Sequence, residues 1–133
     1  MDSMTLKGMV FSGEGVGADF LEISWARRQI QEKLGFDAYL GTLNIRISNK
    51  RARLLGRALK NSEGIEIVPA KGFLRARCFK TLVMNKVEGA VVIPTKPDYP
   101  SNVLEIIAPT SLRKELSLED NDEVEIKVIF GKH

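Results

Sequence analysis

The chain is poor in the residues that carry much of enzyme chemistry. It has a single cysteine, Cys78, and a single histidine, His133, among 133 residues. One cysteine excludes an internal disulfide, which fits a reducing, cytoplasmic setting. The histidine is the last residue and is assigned no catalytic role. No apolar run approaches the ~20 residues that cross a bilayer as a helix. The first ten residues lack the charged-then-apolar order of a secretory signal. There is no long Pro, Ser or Gly linker, no low-complexity tract and no repeat of 20 to 50 residues, so one domain over 1–133 is expected.

What is present is globular. Hydrophobic residues make up 44% and charged residues 28%, which excludes a disordered chain, and 133 residues can bury one real core. A net charge of +3 is too small to argue nucleic-acid binding. Its distribution is more telling. Arg46 to Lys60 holds six basic residues and no acid, and Glu115 to Glu125 holds six acids and no base. The basic block suits phosphates or a solvated helix face equally well.

The periodicity describes a β-rich chain. "LKGMVFSG" reads as a first strand. "SWARRQIQEKLG" reads as a helix with Ser24 as N-cap, Trp25, Ile30 and Leu34 on one face, and Gly35 as its stop. In "GTLNIRIS", Leu43, Ile45 and Ile47 alternate with Thr42, Asn44 and Arg46, a half-buried strand. "KRARLLGRALK" predicts a short helix that Gly56 weakens. Two or three strands follow between Gly64 and Pro94, with turns at Pro69–Gly72 and near Asn85–Lys86. "NVLEIIAP" is another strand, "TSLRKELSL" a short helix capped by Thr110 or Ser111, and "DEVEIKVIF" a final strand. Six or seven strands with two or three short helices point to a mainly β, closed barrel rather than a parallel layered sheet.

Three segments bear on chemistry. In "VFSGEGVGADF", Gly13, Gly15 and Gly17 follow an apolar run. Such a loop can cradle an anion on successive N–H groups, or can be a plain turn. It lacks the Gly-Lys-Ser/Thr ending of a P-loop and the G-x-G-x-x-G spacing of a dinucleotide fold. In "GTLN", Thr42 and Asn44 lie on one face of a strand. A hydroxyl and an amide oxygen so placed suit a hard cation such as Mg²⁺, or form the polar face of an edge strand. In "LEIIAPTSLR", Glu105 interrupts an apolar strand, and the loop from Pro109 to Ser111 opens a helix. That carboxylate is either solvent-facing or held for a ligand, and the helix start either favours an anion or is an ordinary cap.

Taken together, "GMVFSGEGVG", "LGFDAYLGTLN" and "GAVVIP…LEIIAPTSLR" resemble the archaeal CTP-dependent riboflavin kinase family, in order and separation, over nearly the whole chain. The resemblance implies a compact cradle-loop β-barrel that transfers the γ-phosphoryl group of CTP to the 5′-hydroxyl of riboflavin, giving FMN and CDP. Carried over, Glu14, Gly15, Val16, Gly17, Ala18 and Asp19 would cradle the nucleotide, and Thr110, Ser111, Leu112 and Arg113 would form its second contact. Thr42 and Asn44 would hold Mg²⁺. Glu105 would contact the flavin, orienting its hydroxyl or acting as a weak base, and Pro97 would contact it too.

The family can carry a basic residue after the third glycine, where this chain has Ala18 and Asp19, so backbone N–H groups would carry the phosphate contact. A hydroxyl residue occurs in a relative at Pro97, which offers only a carbonyl and a ring. Phe20, Phe36, Tyr39 and Tyr99 are candidates for a wall against the flavin ring. Some members carry an additional amino-terminal DNA-binding domain, which is not expected within these 133 residues. The expected partners are riboflavin, FMN, CTP and CDP, with no membrane and no nucleic acid, and the expected state is a monomer. "LRKELSLEDNDEVEIKV" also looks like the small swapped-hairpin transcription factors, a rival in which the glycine loop and GTLN have no job. A flavin-binding protein without turnover is the other alternative.

Overall fold

Alternation builds the barrel. The computed structural model describes residues 2–13, 21, 23–69, 75–95 and 99–130. In β1 (Ser3–Phe11), Leu6, Gly8 and Val10 are buried while Thr5, Lys7 and Met9 face water. In β7 (Glu123–Ile129), Val124, Ile126 and Val128 are buried between exposed Glu123, Glu125 and Lys127. β2 (Leu43–Arg46) buries Leu43 and Ile45 and turns Asn44 and Arg46 outward. A period of two puts one face of each strand in the core and the other in solvent.

The remaining strands are β3 (Ile65–Ile67), β4 (Ala76–Val83), β5 (Val87–Pro94) and β6 (Val103–Ile107). The sheet runs β3-β4-β5-β6-β2-β1-β7, and β4 also pairs with β7. That pairing closes six antiparallel strands into a barrel and leaves β3 as an extra strand on β4, as the sequence pattern led us to expect.

β4 and β5 do not alternate between core and water, because both of their faces are covered. Phe79, Val83 and Val91 point into the barrel core with Leu6, Ile45, Ile106 and Ile126. Cys78, Ala90 and Val92 point out, into a second core with Ile67, Ile107 and the helix residues Ala26 and Ile30. Those helix residues belong to α1 (Ser24–Leu34).

Helix α1 stops at Gly35 as expected: Gly35 has φ 84° and donates its N–H to the Gln31 carbonyl. Its start differs from the sequence expectation. Ile23, not Ser24, occupies the N-cap, with no side-chain cap. Ile23 packs against the outer core, and this apolar anchor draws the exposed Ser24 into the first turn. The helix also covers the free edge of β3. Gln29 donates from Nε2 to the Val68 carbonyl and accepts the Val68 N–H, both at 2.8 Å. Lys33 donates to the Glu66 carbonyl at 2.7 Å. A short strand edge satisfied this way offers little template for further pairing.

Helix α2 (Asn49–Lys60) forms despite Gly56. The Ser48 side chain accepts the Arg51 N–H, and Ala52, Leu55 and Leu59 are buried in the barrel core. An apolar stripe of that kind outweighs the ~1 kcal/mol penalty of one glycine. The basic block is thus largely the solvated face of α2. Helix α3 (Leu112–Glu115) is one turn, capped by Ser111, with Leu112 in the core. α2 follows the end of β2 and α3 follows the end of β6. Since β2 and β6 are antiparallel neighbours, the two helices plug opposite ends of the barrel.

Candidate active site

Thr42, Asn44, Glu105 and the Thr110–Arg113 segment lie at the α3 end of the barrel or on the outer face beside it, whereas Tyr99 reaches toward Glu105 from a cavity lined by α2. The ladder registers place six residues side by side around the outside: Phe11 pairs with Asn44, Asn44 with Glu105, Glu105 with Val92, Val92 with Cys78, and Cys78 with Ile65. Val92 and Cys78 are buried beneath α1. Asn44 and Glu105 continue the same row beyond it and are half-buried. Directly opposed residues in an antiparallel pair hold their Cβ atoms about 4.5–5.5 Å apart, so the amide and the carboxylate share one spot.

The main chain leaving β1 rests on that spot. A Cβ at Gly13 would lie 2.7 Å from Asn44 Nδ2, so a side chain there would displace the amide. The glycine loop therefore departs from directly over Asn44. Glu14, Gly15, Val16, Gly17, Ala18 and Asp19 themselves lie outside the described residues, as do Phe20 and Pro97.

Thr42 precedes β2 and lines a cleft of about 170 Å³ with Tyr39, Gly41, Thr110, Ser111 and Arg113. The first residue of GTLN and the segment after β6 thus meet in one concavity. Within that segment Thr110 is exposed, and Ser111 is half-buried with its Oγ accepting the Lys114 N–H. Leu112 turns its side chain into the core, which leaves only its backbone for a ligand.

Arg113 ties the loop's root in place. Its Nη2 donates to the Phe11 carbonyl at 3.2 Å and to Asp120 Oδ1 at 2.6 Å. Ser12 Oγ donates to both Asp120 oxygens, at 3.0 and 2.8 Å. These bonds from Arg113 and then Ser12 hold the Asp120 carboxyl below the usual carboxylate range. Glu105 accepts a hydrogen bond at Oε2 from Tyr99 Oη at 3.0 Å. Burial first, and then the Glu105 carboxylate, push the Tyr99 phenol above its ordinary value. Tyr99 also lines a cavity of about 460 Å³ with Leu55, Leu59, Ile93, Pro94 and Leu104.

Of the residues singled out from the sequence, the fold sets Asn44 opposite Glu105 and places Thr42 in one cleft with Thr110, Ser111 and Arg113. Sequence reasoning missed Ser12, Tyr99 as the partner of Glu105, Asp120, and Arg46, whose guanidinium stacks 4.3 Å from the Phe11 ring centroid beside Asn44. Asp120 stood in the acidic block and Arg46 opened the basic one, but nothing in either run marks one charge as special.

The donor chemistry suits Mg²⁺. Thr42 and Asn44 offer hard oxygen atoms. Among the described residues no group of three or more His, Cys, Asp or Glu side chains could hold a metal ion. A cation here would draw its remaining ligands from water and phosphate, which is the habit of Mg²⁺ rather than of Zn²⁺.

The closed antiparallel barrel, with Gly13 lying on Asn44 and a cleft lined by Thr42, Thr110 and Ser111 at the α3 end, defines a β-barrel protein with a polar concavity at one end. Comparison with known proteins specifies it further. The sequence model named for CTP-dependent riboflavin kinase, described as Domain of unknown function DUF120, matches residues 10–128, and the chain belongs to that family. It is 42% identical over 132 residues to a riboflavin kinase of Archaeoglobus fulgidus, covering 96% of this chain and 56% of that protein. It is 41% identical over 132 residues to a riboflavin kinase of Pyrobaculum aerophilum, covering 96% and 62%. It is 39% identical over 129 residues to a riboflavin kinase of Ignicoccus hospitalis, covering 94% and 71%. The chain thus spans between about half and three-quarters of the length of these relatives. Among the described residues no helix is long and apolar enough to cross a membrane.

Proposed function

We propose that this chain is a riboflavin kinase that uses CTP, moving the γ-phosphoryl group to the 5′-hydroxyl of riboflavin and releasing FMN and CDP. The observation that carries the reading is the convergence of the Gly13 main chain, Asn44 and Glu105 on one spot beside the Thr42 cleft, in a member of this family. The riboflavin 5′-oxygen forms the new P–O bond, the bond to the CDP leaving group breaks with its electron pair going to CDP, and the hydroxyl proton is released. CTP as donor rests on the family's name, and Thr42 and Asn44 as Mg²⁺ ligands rest on donor chemistry and adjacency.

Phosphoryl transfer asks a protein mainly for positioning and charge stabilisation. Backbone N–H groups of Glu14–Asp19 hold the triphosphate, and the Thr110–Arg113 segment holds the rest of the nucleotide. Mg²⁺, when bound at Thr42 and Asn44, offsets charge on the phosphate oxygens. Glu105 orients the acceptor hydroxyl through a hydrogen bond, which suits a loose transition state that needs little base help. Pro97 adds a flavin contact through its carbonyl or ring. Residues 1–133 act as one kinase domain, as a monomer in the cytoplasm, where nucleotides are plentiful.

The test is direct. The purified chain is mixed with riboflavin, Mg²⁺ and either CTP or ATP, and FMN is resolved by chromatography. FMN with CTP and little with ATP is the expected result. No FMN with either donor, while riboflavin still binds, would replace the kinase with a flavin-binding protein.

A further inference from the structure

Resting on that reading, we infer that Tyr99 is the positioning residue for Glu105, holding its carboxylate toward the acceptor hydroxyl. A glutamate side chain has three rotatable torsions, and an unrestrained one spends little time aimed at any single atom. Tyr99 removes that freedom. Its hydroxyl donates to Oε2 at 3.0 Å, the one hydrogen bond to the Glu105 carboxylate among the described residues, and Oε1 retains its capacity to accept.

The tyrosine is itself a fixed point. It is half-buried and has only two side-chain torsions. Pro100 follows it, and a residue before proline is held to extended backbone. The turn that carries it is pinned twice, by Val103 N–H to the Pro100 carbonyl at 3.3 Å and by Ile47 N–H to the Asn102 carbonyl at 2.9 Å. The second bond anchors the turn to the chain leaving β2, the strand that presents Asn44. Tyr99 therefore locks the carboxylate against the element that carries the proposed metal ligands. The phenol acts only through Glu105 and touches no reacting atom.

The test uses Tyr99→Phe, Glu105→Gln and the double variant in the full chain. Phenylalanine keeps the ring and its packing and removes only the donor. Misplacing a positioning group can cost on the order of 10²-fold in rate. Tyr99→Phe is expected to lower kcat with riboflavin by about ten- to a hundredfold. The CTP KM, the riboflavin Kd from flavin fluorescence quenching and the thermal midpoint should stay near wild type. If Tyr99 works through Glu105, the double variant is no slower than Glu105→Gln alone. A wild-type kcat in Tyr99→Phe, or losses that multiply in the double variant, would overturn the role. A parallel fall in kcat, both affinities and the thermal midpoint would overturn it as well, in favour of packing. Absence of FMN formation by the wild-type chain would instead sink the kinase reading, and the positioning role with it.

Discussion

Gly13 and Asn44 are in such close contact that a Cβ at position 13 would stand 2.7, 2.8 and 2.9 Å from the amide's Nδ2, Cγ and Oδ1. Gly13→Ala must therefore push the amide aside. The amide ends a half-buried side chain and can turn away at little cost in stability, but it is one of the two proposed Mg²⁺ ligands. The Mg²⁺ concentration for half-maximal activity should rise about tenfold, a change of ~1.4 kcal/mol. Adding Asn44→Ala should relieve the clash while leaving activity no higher than in Asn44→Ala alone. A Gly13→Ala enzyme with the wild-type Mg²⁺ titration would separate the glycine loop from the amide.

Thr42 opens into the cleft shared with Thr110 and Arg113, and Asn44 stands two residues on, opposite Glu105. Thr42→Ala and Asn44→Ala should each cut kcat/KM for CTP by about ten- to a hundredfold and weaken Mg²⁺ dependence, the scale expected when one group around a metal is lost. Circular dichroism should show an intact fold, since neither side chain is in the core. Unchanged kinetics would remove that residue from the site.

Asp120 links Ser12, Arg113 and the turn before β7. Its carboxyl is held below its ordinary value by Arg113 and Ser12. A group depressed by folding contributes its stability above the unfolded pKa of about 4 and loses it as pH falls through the lower folded value. Asp120→Asn should therefore lower the thermal midpoint slightly at pH 7, with the gap closing in acid, and should raise the CTP KM severalfold by freeing the loop's root. A gap of constant size down to pH 2 would contradict the assignment.

Cys78 is fully buried in the outer core, and burial pushes its thiol up to about 12, with Lys33 pulling the other way. The thiolate is the reactive form. At pH 8 the native chain should be inert to a disulfide reagent on the timescale of free-cysteine labelling and should react only as it unfolds. Cys78→Ser, which buries a hydroxyl, should cost about 1–3 kcal/mol. Rapid labelling of the folded chain would show that this sheet face is open.

Strands β1, β2 and β7 were legible because each keeps one face in water, so the period of two is written in residue type. β4 and β5 gave their existence but not their sides, because both sides are buried. α2 was legible as a helix although Gly56 argued against it, and α1 started one residue earlier than Ser24 implied. At the site, the strand period placed Asn44 outward on β2, whereas Thr42 lies before the strand, beyond the reach of that period.

What the sequence determined unaided is the local grammar: where strands alternate, where an amide is placed outward, and where a glycine run leaves a strand. Only the closed sheet decided that Asn44 stands opposite Glu105, that Gly13 lies on Asn44, that Tyr99 grips Glu105 and that Ser12, Arg113 and Asp120 join. The reason is that local periodicity is set by backbone sterics within a few residues. Register between distant strands is set by closing the whole barrel around its core, and no single segment carries that information.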